Sequence, residues 1–109
     1  MVDVGGGKVM SINLLKVSKK SQRQYREDVS NNENDDYMTI RKKLTRNFLL
    51  GEVYNETDEL IWKRWGNLFI CVDKKENKVI NVFNDRIHRY DYTTNDKVKH
   101  YFNIKLGLA

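Results

Sequence analysis

Trp62-Lys63-Arg64-Trp65-Gly66-Asn67-Leu68-Phe69-Ile70-Cys71-Val72-Asp73-Lys74-Lys75-Glu76-Asn77-Lys78-Val79-Ile80-Asn81-Val82-Phe83-Asn84 holds two short apolar runs around one polar break. Leu68–Val72 is continuous, and Val79, Ile80, Val82 and Phe83 form the second run. Both are rich in β-branched and aromatic residues, and Gly66, Asn77 and Asn84 bound them. That pattern predicts strand, turn, strand. Lys74-Lys75-Glu76-Asn77 suits a hairpin loop, with Asn77 able to take a left-handed conformation. Successive side chains of a strand point to opposite faces, so Leu68–Val72 should be central and covered on both sides.

Working outward, Leu60–Trp65 reads as a strand with Lys63 and Arg64 between the two tryptophans, and Glu52-Val53-Tyr54 as a shorter one. Tyr37, Ile40, Leu44 and Phe48 recur at spacings of three and four, the stripe of an amphipathic helix. Asp35 or Asp36 can cap its start and Gly51 can stop it. Lys42, Lys43 and Arg46 fall on its other side. A thinner stripe, Tyr25 and Val29, predicts a surface helix over Ser18–Asp28 with Lys19, Lys20 and Arg23 outward. Ser18 or Ser21 would be its N-cap. Val9–Val17 partly alternates and reads as a strand, and Asp85–Tyr92 permits an edge strand. Asn95 or Asp96 can cap a last helix with Val98, Tyr101, Phe102 and Leu106 on one face. The expected core joins Leu68, Ile70, Val72, Ile80 and Val82 to Leu44 and Phe48.

These elements predict an α+β fold: a small antiparallel sheet of four or more strands with two or three helices packed against it. The 109 residues suit one domain, residues 9–109. Residues 1–8, with Gly5-Gly6-Gly7, read as a flexible tail, and Met10 as an alternative start. Gly5-Gly6-Gly7-Lys8 lacks the spacing of a phosphate loop. No apolar run approaches the roughly 18 residues of a membrane span, and residues 1–10 have no signal-peptide h-region. The expected compartment is the cytoplasm, with no membrane association. One cysteine excludes an internal disulfide and a thiolate zinc cage, and its place in an apolar strand argues for an inert thiol. No cofactor or metal pattern is visible among His88, His100 and the carboxylates.

The net charge of +5 is unevenly spread. Residues 1–27 and 37–51 each carry +4, whereas residues 28–36 carry −4. Such basic segments suit RNA or another polyanion, or simply a solvated surface. Lys19, Lys20, Arg23, Lys42, Lys43, Arg46 and Arg89 are the candidate phosphate contacts. The densest reactive set is Arg86-Ile87-His88-Arg89-Tyr90-Asp91-Tyr92. Alternation would place Arg86, His88, Tyr90 and Tyr92 on one side of a strand. Histidine can move protons, arginine can hold a phosphate, and tyrosine can stack or donate a proton. Metal-independent RNA cleavage needs those residue types, with Lys63 and Arg64 as added positive charge. The same features also suit an ordinary exposed edge strand.

Over residues 9–92, the order strand, two helices, strand meander and basic segment resembles the small RelE-type ribonuclease toxins and their barnase–EndoU–colicin relatives. The run from Gly66 to Asp73, the run from Lys78 to Phe83 and the segment from Arg86 to Tyr90 carry that resemblance. It implies a toxin–antitoxin endoribonuclease using Lys63, Arg64, Arg86, His88 and Tyr90, with an inhibitory protein partner. The first helix is less apolar and the last helix longer than that family requires. The alternative is a non-enzymatic phage or mobile-element protein that binds and modulates a host protein. A purely structural module is the third reading.

Overall fold

A computed structural model describes residues 12–29, 31–85, 87 and 96–108. Its elements run β1 (Lys16–Val17), α1 (Lys19–Asp28), α2 (Tyr37–Leu50), β2 (Glu52–Glu56), β3 (Leu60–Trp65), β4 (Leu68–Asp73), β5 (Lys78–Asn84) and α3 (Asp96–Lys105). The strands form one five-stranded sheet in the order β1-β5-β4-β3-β2. The fold is α+β. β2 to β5 make the expected antiparallel meander, and β1 joins β5 in parallel through Lys16 opposite Lys78 and Val17 opposite Val79.

Two turns set the meander. Gly66 takes a φ of 58° in the two-residue link from β3 to β4, a conformation that costs glycine little. Asn77 takes 53° at the end of the Lys74–Asn77 loop. Asp73 Oδ1 accepts the Lys75 and Glu76 amides at 2.9 and 3.2 Å, which closes that loop.

β4 is central. Leu68, Ile70 and Val72 face the helices and pack with Ile40 and Leu44 of α2, Tyr25 of α1, and Leu15 and Val17. Two expected core members sit differently. Val79 is fully buried where Ile80 was expected, and Ile80 is half-buried. A bulge explains the exchange: Cys71 pairs with Asn81 but Val72 with Val79, so Ile80 is the extra residue. One inserted residue shifts every side chain before it to the other face. Phe48 only flanks the core, with the Lys63 ammonium 4.5 Å from its ring centre.

α1 begins at Ser18, whose side chain accepts the Ser21 amide at 3.1 Å. Its apolar stripe is thin because the helix runs along the edge of β5, held there by carboxamides. Gln24 Oε1 accepts the Val82 amide at 2.9 Å, and Gln24 Nε2 donates to Asn81 Oδ1 at 3.0 Å. Asn84 Nδ2 donates to the Asp28 carbonyl at 3.0 Å. The first of these bonds covers a strand amide that β1, only two residues long, does not reach. Ser18→Ala should cost about 0.5–2 kcal/mol, as N-cap losses do. Chemical denaturation of the variant measures it.

The expected strand over Val9–Val17 shrinks to Lys16–Val17 among the described residues, and residues 9–11 lie outside them. Side chains of α2 take the neighbouring backbone groups instead. The Leu15 amide donates to Thr45 Oγ1 at 3.0 Å, and Arg41 donates to the Leu14 and Leu15 carbonyls at 3.2 and 2.9 Å. α2 starts at Asp36, which accepts the Thr39 amide at 2.8 Å; that bond holds the Asp36 carboxyl below its usual range. Gly51 ends the helix at a φ of −77°, so its role is close approach. A Cβ there would lie 3.1 Å from the Arg64 carbonyl oxygen. No described helix is long and apolar enough to cross a membrane.

Candidate functional site

Strand alternation separates two expected catalytic residues. Lys63 pairs with Ile70 and Arg64 with Phe69, so their side chains leave β3 on opposite faces. Lys63 lies on the helix side, where burial lowers its pKa and Glu56 opposes that shift. Arg64 lies on the other face, donating to the Gly66 carbonyl at 3.0 Å and pairing with Glu52 at 3.3 Å. One face of the sheet can therefore use one of these cations and not the other. Arg86, His88, Arg89 and Tyr90 lie outside the described residues, and the two described members of the expected edge strand, Asp85 and Ile87, are not in a strand.

The expected basic surface is divided as well. Lys19, Lys20 and Arg23 are exposed on α1. Lys43 instead bonds Asp35 at 2.6 Å and Asn32 at 2.8 Å. Arg46 donates to Asn103 Oδ1 at 2.9 Å and sits 5.9 Å from the Trp65 ring centre. Burial lowers its pKa. Lys99 of α3 approaches the same ring at 5.0 Å. Arg46 and Lys43 thus hold α3 and the α1–α2 loop in place. Lys42 stays half-buried beside Gly107.

The outer face of the sheet holds what the sequence reading passed over. Tyr54, Phe69 and Phe83 come from three strands. Phe69 packs edge-on to Tyr54 at 4.9 Å and tilted to Phe83 at 6.1 Å, between ring centres. Phe69 is 6% exposed, whereas Tyr54 is 64% and Phe83 54% exposed. No described helix lies across this face. The expected two-sided burial of β4 is real, but on this side neighbouring side chains of the same sheet provide it. Cys71, opposite Trp62 and Asn81, is buried the same way. Burial, then the charge of Asp73, pushes its thiol pKa up, the reverse of an activated nucleophile.

Beside these rings, at the seam with α1, lies a cavity of about 660 Å³. Tyr54, Trp62, Phe69 and Phe83 supply its apolar wall. Gln24, Asn55, Asn81, Asp28 and Asp85 supply its polar groups. Asp85 is held in place: its amide donates to the Asn67 carbonyl at 2.8 Å, Asn67 Nδ2 donates to its carbonyl, and its Oδ1 accepts the Ile87 amide at 2.9 Å. A second bulge builds the wall, because Val53 pairs with Lys63 and Asn55 with Trp62, leaving Tyr54 extra. Such a size and lining suit a binding site. Among the described residues, no group of three or more His, Cys, Asp or Glu side chains could hold a metal ion.

The one signal in the sequence was a surplus. β3, β4 and β5 carry more large apolar residues than a single helix-covered face can use. No curated protein matches the chain, and no solved structure does. The model of one protein family, YorE, matches residues 15–105. The chain belongs to the YorE family.

Proposed function

We propose that this protein is a phage-associated, non-enzymatic interaction protein that docks a host protein on the outer face of its sheet. The observation that carries the reading is the pair of exposed rings, Tyr54 and Phe83, flanking buried Phe69 beside an open cavity. Exposed aromatic side chains on a rigid sheet make low-entropy anchors for a partner. The family is phage-related, which supports the association with phage. Exposed rings, rather than the exposed lysines found on α1, mark this face, so a protein partner suits it better than RNA.

The test compares three purified proteins for retention of host proteins: wild type, a Tyr54→Ser/Phe83→Ser variant and a Lys19→Glu/Lys20→Glu variant. The expected result is a discrete host protein held by wild type and by the lysine variant, and lost by the sheet-face variant. In parallel, wild type should leave RNA intact with and without ribosomes. The RelE-like alternative instead requires cleavage that falls by about 10²–10⁴-fold in His88→Ala or Arg86→Ala. That outcome, or equal retention by wild type and the sheet-face variant, would overturn the proposal.

A further inference from the structure

We infer that a cavity beside β1 binds a short chain of phosphoryl groups, a di- or triphosphate. This site is separate from the docking face proposed above and does not rest on it. The cavity has a volume of about 340 Å³, and β1, β5, α1 and the start of α2 contribute to its wall. Lys16, Lys19 and Lys78 line it from three different elements, and no aspartate or glutamate does. None of these three ammonium groups is engaged by a hydrogen bond or an ion pair among the described residues. Lys43 and Lys74, by contrast, are held by Asp35 and Glu56. Asp73, the partner of Lys78 on β4, directs Oδ1 to the Lys75 and Glu76 amides.

Lys16 and Lys78 are also direct partners in the parallel ladder, so the fold sets two like charges opposite each other on a strand only two residues long. Two backbone bonds hold β1 there: the Lys16 amide to the Asn77 carbonyl and the Ser18 amide to the Val79 carbonyl, both at 3.0 Å. An anion between the lysines converts their repulsion into attraction. The neutral groups suit an oxyanion too. The Tyr37 hydroxyl accepts the Val17 amide at 3.4 Å, which leaves its own proton to donate. Gln22 Nε2 donates to the Val17 carbonyl at 3.3 Å. Val17 thus has both backbone groups occupied, and an extended peptide finds no ladder to join at this edge. Lysines act as point charges on the many oxygens of a phosphoryl group, whereas planar carboxylates favour the arginine fork, which this cavity lacks. An RNA strand needs a long basic groove and several rings for stacking. Here the volume is at the small end of ligand sites, and Tyr37, the one ring present, has the Arg41 guanidinium 5.6 Å from its centre.

The probes are sodium triphosphate, orthophosphate, citrate, ATP and an oligouridylate, titrated into the full chain by NMR in a phosphate-free buffer at low salt. Triphosphate should shift the backbone amides of Lys16, Lys19 and Lys78, and bind about tenfold or more tightly than orthophosphate or citrate. Lys16→Gln/Lys78→Gln should weaken it about tenfold or more. Lys99→Gln/Lys105→Gln, which removes the same charge from α3, should weaken it by less than about threefold. Without ligand, Lys78→Gln should melt at or above the wild-type temperature, because the opposed charge is gone. Triphosphate should raise the melting temperature of wild type and leave that of Lys16→Gln/Lys78→Gln unchanged. ATP binding like triphosphate would identify the phosphate chain as the whole ligand, and tighter ATP binding with shifts at Tyr37 would add a nucleoside; both support the inference. Equal weakening by the two double variants, citrate binding as well as triphosphate, or no shift with triphosphate would overturn it. So would oligouridylate binding more tightly than triphosphate through the same lysines, which would make the site an RNA contact.

Discussion

Ile70→Ala should lower the folding free energy by about 2–5 kcal/mol. Ile70 has no solvent exposure and stands mid-strand in β4, between Lys63 of β3 and Val82 of β5. Its side chain meets the α2 stripe through Ile40 and Leu44 in the same buried cluster. Removing it takes apolar contact from both layers, and a β-strand held by ladders on both sides cannot collapse into the gap. For a domain of this size each kcal/mol moves the melting temperature by roughly 4–8 °C, so a fall of about 10 °C or more is expected. Urea unfolding of wild type and variant measures it. Phe83→Ala is the contrasting control: Phe83 is 54% exposed, so most of its surface already faces water. Equal losses for the two variants would contradict the assignment of faces.

The second large effect is expected at alkaline pH. Tyr25 is buried at 2% exposure, and burial pushes its hydroxyl pKa from 10.0 up to about 12, with the nearby Arg46 charge and a hydrogen bond to Asn47 opposing the rise. A folded pKa above the unfolded one means that the unfolded chain gives up this proton first. The stability it contributes is complete below about pH 10 and is lost as pH rises through about 12. Two pH units correspond to about 3 kcal/mol at most. Unfolding free energies measured from pH 9 to 11.5 should fall steadily for wild type, and the fall should flatten in Tyr25→Phe. Identical slopes would place the phenol in a wetter setting than its burial shows.

The hairpin, its Asn77 turn and the α2 stripe were legible because each depends on local periodicity and turn chemistry. Lys63 and Arg64 were also separable in principle, since neighbours in a strand always face opposite ways. Three features were not local. The exchange of Ile80 for Val79 depends on how many residues the partner strand offers at the bulge. The docking of α1 depends on Gln24 and Asn84 finding backbone groups far along the chain. Apolar periodicity, the only guide available, made that helix look weakly attached. The aromatic face escaped notice because a continuous run such as Leu68–Val72 reads as burial by a layer on each side. Here Tyr54 and Phe83 bury Phe69 from within the sheet. Charge clustering drew attention to Lys43 and Arg46, yet a count of charges does not show which cations are already engaged by Asp35, Asn32, Asn103 and Trp65.

Site-specific photo-crosslinking probes the docking face in living cells. A benzophenone side chain replaces Phe83 on the outer face in one protein and Lys20 on α1 in another, each expressed in bacteria and irradiated. Position 83 is exposed enough to accept the larger ring without disturbing the core. The expected result is a discrete protein adduct from position 83, lost when Tyr54→Ser is added, and none from position 20. Adducts to RNA, or protein adducts from position 20 with none from 83, would show that the chain meets its partner through the basic helix and would contradict the sheet-face account.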